Sequence, residues 1–332
     1  MQLRPHQLKA VQAMFRHTKG QIIVPTGGGK TMCMINDAEQ RFRSTIARTI
    51  VVVAPRILLA NQLSAEFLEF ITDVDVAHVH SGETHHFSTT NSIDLTHWNS
   101  TNPHYHKLIF TTYHSLHKIQ NSMVEVDTIY FDESHNAVQK NFIEAVEYYS
   151  IYASRCYFFT ATPKHSLTPF KVGMNDADIF GQVICNVPAP KLVKQGYILP
   201  PKVVINKIDL PDDDRFAYEH DRDCVLDTID AQDVDKILIC ARSTKQIINL
   251  VTHSTFVVDL ISRGYSWLMI TSKTGAVIDG KKVDREEFFN TLNSWGKDSS
   301  KRFVVLHHSC LLYTSDAADD TPCVDLGGRR II

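Results

Sequence analysis

A chain of 332 residues with 43% hydrophobic residues carries enough apolar mass for two domain-sized cores, while its seven cysteines show neither a C-x-x-C pair nor spacing that suggests a zinc site or disulfide framework. Its 34 Lys and Arg against 37 Asp and Glu give a net charge of −3, so a global positive field for nucleic acid is excluded and any such contact rests on local basic groups. No apolar run approaches the roughly 18 residues a membrane span needs, and the expectation is a soluble, cytoplasmic chain.

In chain order, the first apolar run is Gln21–Val24, followed by Pro25-Thr26-Gly27-Gly28-Gly29-Lys30-Thr31 and a helix-compatible stretch over Met32–Arg43. Further short runs rich in β-branched and aromatic residues fall at Thr49–Ala54, Lys107–Thr111, Thr128–Phe131 and Cys156–Thr160. Their hydrophobicity is continuous rather than alternating, which predicts strands buried on both faces of a parallel sheet covered by helices. His78, His80, His85, His86, His97, His104 and His106 crowd one polar stretch, read as a solvated surface loop rather than a metal site because no cysteine or carboxylate stands at ligand spacing.

Between Asp178 and Pro201 the chain gathers Pro188, Pro190, Gly196 and Pro200, punctuation that predicts an interdomain linker. Beyond it, Lys202–Ile208, Lys236–Ala241, Trp267–Thr271 and Arg302–Leu306 read as strands, with helices around Ser243–Leu250 and Asp284–Trp295. The acidic run Asp212-Asp213-Asp214 reads as an exposed turn. The fold class expected is α/β, two parallel-sheet domains over 1–195 and 196–309, the second incomplete. From Cys310 to Ile332 periodicity fails. CLLYTSDAAD and CVDLGGRRII resemble translations of sequencing-library adapters, so 310–332 is expected to be a non-native tail.

Three strand ends carry the chemistry. Glycines after Gln21–Val24 let backbone N–H groups turn inward on phosphates, Lys30 reaches the outer phosphates and Thr31 ligates Mg²⁺, although Val24 stands where the phosphate-loop pattern has its first glycine. Thr128–Phe131 ends in Asp132-Glu133-Ser134-His135. A carboxylate there holds Mg²⁺, here Asp132, and its neighbour Glu133 orients or deprotonates the attacking water. Cys156–Thr160 ends in Thr160-Ala161-Thr162-Pro163, whose hydroxyls at Thr160 and Thr162 are placed to relay the state of the γ-phosphate.

With these motifs in this order the sequence resembles the superfamily-2 helicases, in particular the DExH branch of restriction-enzyme motor subunits and phage-type DNA helicases, over residues 3 to about 309. The resemblance implies two RecA-like domains, ATP and Mg²⁺ as cofactors, and ATP hydrolysis coupled to movement along a nucleic-acid strand, DNA favoured. It places Lys30, Asp132, Glu133 and His135 in catalysis. Leu3-Arg4-Pro5-His6-Gln7 is similar to the adenine-reading element, with Gln7 on the base edge. Val53-Ala54-Pro55-Arg56 and Thr111-Thr112-Tyr113 match loops that grip the nucleic-acid backbone, through Arg56 and Thr112, and Arg242 lies in the corresponding opening of the second domain. A nuclease or methylase partner is compatible with such a motor. An RNA helicase and a non-motor P-loop ATPase are the rival readings. The family closes its site with a late arginine-rich motif. Gly327-Gly328-Arg329-Arg330 imitates it only within the tail, so the arginine finger is expected to be absent and hydrolysis by the chain as written to be poor.

Overall fold

The computed structural model describes residues 2–82, 84–168, 170–200, 217–232, 234–271, 273–308 and the backbone of 323–325. The chain divides into two compact units, Met1–Pro201 and Lys202–Ile332. In the first unit, eight strands form one sheet: β1 (Lys19–Ile23), β2 (Thr49–Ala54), β3 (Val74–Val79), β4 (Phe87–Ser88), β5 (His106–Thr112), β6 (Thr128–Phe131), β7 (Arg155–Thr160) and β8 (Val183–Asn186). Their order is β4-β3-β5-β2-β6-β7-β1-β8, and every neighbouring pair is parallel.

The continuous apolar runs have the cause inferred from them. Ile50, Val52 and Ala54 of β2 enter one buried cluster and Val51 and Val53 enter the other, so each strand face meets a separate core. Helices α1 (Pro5–Arg16), α2 (Lys30–Phe42) and α3 (Ile57–Leu68) close the first cluster with Met14, Met34 and Phe67; the helices Leu116–Asn121 and Ile143–Tyr152 close the second with Ile119 and Tyr149. A buried polar cluster ties α2 to the sheet. Asp37 takes a bidentate ion pair from Arg41 at 2.7 and 2.8 Å and accepts the Tyr130 hydroxyl at 2.7 Å.

Two expectations for this unit are corrected. The stretch from Asp178 to Pro201 is structured: β8 pairs with β1, and the helix Ala189–Lys194 has a proline at its start, where the missing N–H costs nothing. The histidine-rich segment is also not all solvated, because β3 buries His78 and the chain just beyond it buries His80, at 1% and 2% exposure. The two rings satisfy each other. The Gly82 N–H donates to His80 Nδ1 at 3.1 Å, which leaves the proton on His80 Nε2 to donate to His78 Nδ1 at 3.0 Å, and His78 Nε2 then donates to Ser64 Oγ at 3.0 Å. That chain of donors requires both imidazoles neutral.

Burial, with His80 and His86 nearby, pushes His78 down to about 4, and burial lowers His80 as well. Since the folded value lies below the usual 6.5, His78 contributes stability that is full above about pH 6.5 and is lost as pH falls towards about 4. The contribution is on the order of 3 kcal/mol at most. Denaturant midpoints measured from pH 7 to 4 are expected to fall more steeply for the parent than for His78→Gln; equal slopes would remove His78 as the titrating group.

The second unit contains β9 (Lys236–Ala241), β10 (Ser266–Thr271), β11 (Gly275–Ile278), β12 (Lys281–Val283), β13 (Phe303–His308) and β14 (Cys323–Asp325), ordered β12-β11-β10-β13-β9-β14. The helices Thr244–His253 and Arg285–Lys297 lie where the sequence predicts them. This sheet is mixed, not wholly parallel as expected, because β11 runs antiparallel to both β10 and β12. The cause is local. Asp279 and Gly280 both have positive φ, 45° and 85°, the geometry of a two-residue hairpin turn that an Asp-Gly pair favours. Cys323–Asp325, for which the sequence predicts no element, runs parallel to β9. The predicted strand Lys202–Ile208, the acidic turn and Gly327–Arg330 lie outside the described residues.

Candidate nucleotide-binding site

Because all eight strands of the first sheet run the same way, their C-terminal ends share one edge, where crevices open in α/β sheets. The loops after β1, β2 and β6 and the ends of β5 and β7 therefore bring Lys30, Arg56, Asp132, Thr112 and Thr160 to that edge. β1 lies beside β7 in the register Ile23↔Thr160, and β7 beside β6 with Phe131↔Phe158.

The predicted phosphate loop begins as an extension of β1. Val24 is buried, donates its N–H to the Thr160 carbonyl at 3.1 Å and is not among the residues of positive φ, so glycine's freedom is not needed at this departure from the pattern. It is needed further on. Gly27 and Gly29 adopt φ of 72° and 77°, and a Cβ on Gly28 would stand 2.6 Å from Val24 Cγ1 and 2.8 Å from the Pro25 carbonyl oxygen. Gly29 caps α2, whose first turn has no side-chain cap and no acid, so its N–H groups and the helix dipole are left for an anion. Thr31 follows Lys30 in that turn.

The loop is braced from α1. His6 Nε2 donates to the Gly28 carbonyl at 2.8 Å, and Gln7 Nε2 donates to the carbonyls of Gly28 and Gly29 at 3.5 and 3.3 Å. In a trans peptide the C=O and the following N–H point in opposite directions, so carbonyls held against α1 turn the Gly29 and Lys30 N–H groups away from it. Gln7 Oε1 accepts the Arg4 N–H at 2.8 Å. Gln7 is 4% exposed, and its described partners are all backbone groups.

Of the two acids after β6, Glu133 is seen to reach this loop. Asp132 is buried, donates its N–H to the Val53 carbonyl at 2.9 Å and receives the Tyr113 hydroxyl on its own carbonyl at 2.8 Å. Glu133 has φ 45° and ψ 51°, a left-handed conformation that disfavours a side chain of this kind and turns its carboxylate back onto the phosphate loop. There Oε1 pairs with Lys30 Nζ at 2.9 Å, and Oε2 lies 3.4 Å from His135 Nδ1. Asn136 Nδ2 donates to His135 Nε2 at 3.3 Å and to the Glu133 carbonyl at 2.9 Å. The proton of the neutral ring is then on Nδ1, which donates to Thr160 Oγ1 at 3.1 Å; the same oxygen accepts the Thr162 N–H at 3.1 Å. Burial, then the cations Lys30 and Lys164, lower His135 below its usual value against the opposing pull of Glu133. One network thus links Lys30, Glu133, His135, Thr160 and Thr162.

Of the remaining predicted residues, Arg56 is exposed at the start of α3, while Thr112 is buried at the end of β5, its neighbour Tyr113 donating an N–H to the Ala54 carbonyl at 3.2 Å. Arg242 is exposed in the second unit, its carbonyl accepting from His308 Nε2 at 2.9 Å. Sequence reasoning missed the outer wall of the phosphate loop. Leu192 and Ile198 come within 3.2 and 3.3 Å of where a Cβ would stand on Gly28 and Gly27, and the Tyr197 ring has the Arg4 guanidinium 5.0 Å from its centroid and the His6 ring at 5.3 Å.

No curated protein matches the chain by sequence. Among solved structures, the DNA-bound ATP-dependent Type ISP restriction-modification enzyme LlaBIII is similar with a TM-score of 0.71 at 15% identity, over 98% of this chain and 25% of that one. A nuclease-deletion mutant of the Type ISP enzyme LlaGI with a DNA substrate mimic gives 0.52 at 18% identity, over 70% of this chain and 23% of that one. The Hef helicase domain of Pyrococcus furiosus gives 0.55 at 12% identity, over 97% and 89%. The chain thus spans about a quarter of the two restriction enzymes it resembles. Residues 1–165, just under half of the chain, match the family described as "Type III restriction enzyme, res subunit", and the likeness to the solved structures shows a RecA-like α/β fold.

Proposed function

We propose that the chain is the motor portion of an ATP-dependent DNA translocase or helicase, the first unit binding and hydrolysing ATP while the protein steps along a strand. The observation that carries this reading is the ion pair between Lys30 and Glu133, which joins the phosphate loop to the strand end bearing the acids and continues through His135 to Thr160. Lys30 fits the outer phosphates, Glu133 the attacking water, and His135 with Thr160 and Thr162 the coupling to neighbouring loops. Pro25 to Thr31 cradle the phosphates. Gln7 keeps a lone pair on Oε1 for an adenine amino group.

Mg²⁺ suits the donors, since the Thr31 hydroxyl and the Asp132 carboxylate are hard oxygens beside the phosphate loop; bound with ATP it would neutralise phosphate charge. The DExH assignment rests on Asp132-Glu133-Ser134-His135. The first motor domain is read as ending near 195 and the second as following it. Since this chain covers only 25% and 23% of the similar restriction-modification enzymes, nuclease or methylase functions belong to this proposal as partners or further domains. Among the described residues no helix is long and apolar enough to cross a membrane; a cytoplasmic site of action is part of the proposal.

The test is binding of labelled single-stranded DNA and of RNA of the same sequence at two salt concentrations. Arg56→Ala is expected to weaken all sequences about equally and to reduce the salt slope by about one. A preference for one sequence that survives high salt would count against a motor; equal binding of RNA would favour the RNA helicase.

A further inference from the structure

The wall beside the phosphate loop has a chemistry that phosphates do not explain. Helix Ala189–Lys194 ends with Gly196 at φ 71°, its N–H on the Val193 carbonyl at 2.9 Å, and Tyr197 returns its N–H to the Leu192 carbonyl at 2.9 Å. That helix ending fixes the backbone of Tyr197. Leu192 is fully buried in the core beneath the loop, with Tyr197 and Ile198 packed against the same core, so the ring is carried by a rigid part of the first unit.

Two groups meet at this ring. The Arg4 guanidinium lies over it, the His6 ring is tilted 53° against it, and His6, 4% exposed, also grips the Gly28 carbonyl. Because His6 Nε2 is the donor in that bond, Nδ1 is an acceptor, and it is buried with no hydrogen-bond partner. An aromatic face, a planar cation and a buried acceptor, attached through His6 to the peptide that precedes Gly29, suit a planar heterocycle with exocyclic N–H groups rather than a phosphate.

We propose that Tyr197 is a base-binding residue of the nucleotide site: its ring supplies the aromatic face against which the purine of ATP packs, with Arg4 as the cation that covers it. The proposal rests on the phosphate-loop reading and extends it to a residue at the far end of the first unit. Arg4 contacts Tyr197 directly in this structure, so the base must displace the guanidinium before Arg4 can close over it.

The experiment compares Mg²⁺–ATP with inorganic tripolyphosphate, titrated calorimetrically into the full chain and into Tyr197→Ala and Tyr197→Phe. Loss of base stacking is expected to weaken ATP about tenfold in Tyr197→Ala, with tripolyphosphate affinity unchanged and ATP affinity retained in Tyr197→Phe. A thermal melt of each variant without ligand reports folding. Equal loss of both ligands in Tyr197→Ala would make Tyr197 a packing residue of the loop and overturn the proposal, as would undiminished ATP affinity. If neither ligand bound the parent chain, the phosphate-loop reading itself would fail and the proposal with it, an outcome distinct from selective indifference to Tyr197.

Discussion

Lys30→Ala is expected to lose nucleotide affinity by roughly two orders of magnitude, since charge-assisted hydrogen bonds to phosphate are worth about 1.5–3 kcal/mol each. The local cost to the empty protein is smaller. The Lys30 side chain is 10% exposed and Glu133 26%, so removing the lysine leaves a carboxylate that still reaches solvent and His135. The deficit should therefore appear in ligand binding more than in folding. Titration with Mg²⁺–ATP measures it directly, and the rise in melting temperature that ATP gives the parent should vanish. A variant that bound ATP as tightly as the parent would end the phosphate-loop assignment.

Glu133→Gln is expected to separate binding from chemistry. The amide keeps the size of the side chain and an oxygen for Lys30 or His135, but it can neither accept a proton nor hold Lys30 by charge. General-base catalysis contributes about 10²–10⁴ in rate, and single-turnover phosphate release should fall by that order. Affinity for ATP should be preserved or rise slightly, because the nucleotide no longer competes with the carboxylate for Lys30. Unchanged phosphate release in this variant would assign the water-activating role elsewhere.

How much was legible follows from which interactions were local. Thr49–Ala54, Thr128–Phe131 and Lys236–Ala241 are strands over the residues their apolar runs predict, because burial on both faces leaves no polar position to blur a boundary. The tight turn after β1 was readable from its glycines, since Gly27 and Gly29 need positive φ wherever the rest of the chain goes. His78 and His80 were misread because a histidine's polarity argues for solvent until a partner is known. Ser64, which accepts from His78, comes from another element. The prolines and Gly196 before Pro201 were seen as punctuation, but the same residues begin and end a packed helix, and propensity alone does not distinguish the two. Asp279-Gly280 could have been found, being a two-residue turn signal between apolar runs. Tyr197 could not, since nothing local ties it to Arg4 and His6 at the other end of the unit.

The strand order has a consequence for biosynthesis. β1, which carries the phosphate loop, is hydrogen-bonded to β7 and β8, so its neighbours are the strands at residues 155–160 and 183–186. During synthesis from the N-terminus, at about 5–20 residues per second, β2, β3 and β5 have left the ribosome and can pair with one another while β1 still has no neighbour. The wall formed by Leu192, Tyr197 and Ile198 comes later still. A nucleotide held as proposed would therefore find no complete cradle until nearly the whole first unit has emerged, and it would not act as a template for the early chain. The unpaired edges of β1 must instead wait through the slowest, most non-local step of assembly, which makes this strand the point at which nascent chains are most exposed to mispairing.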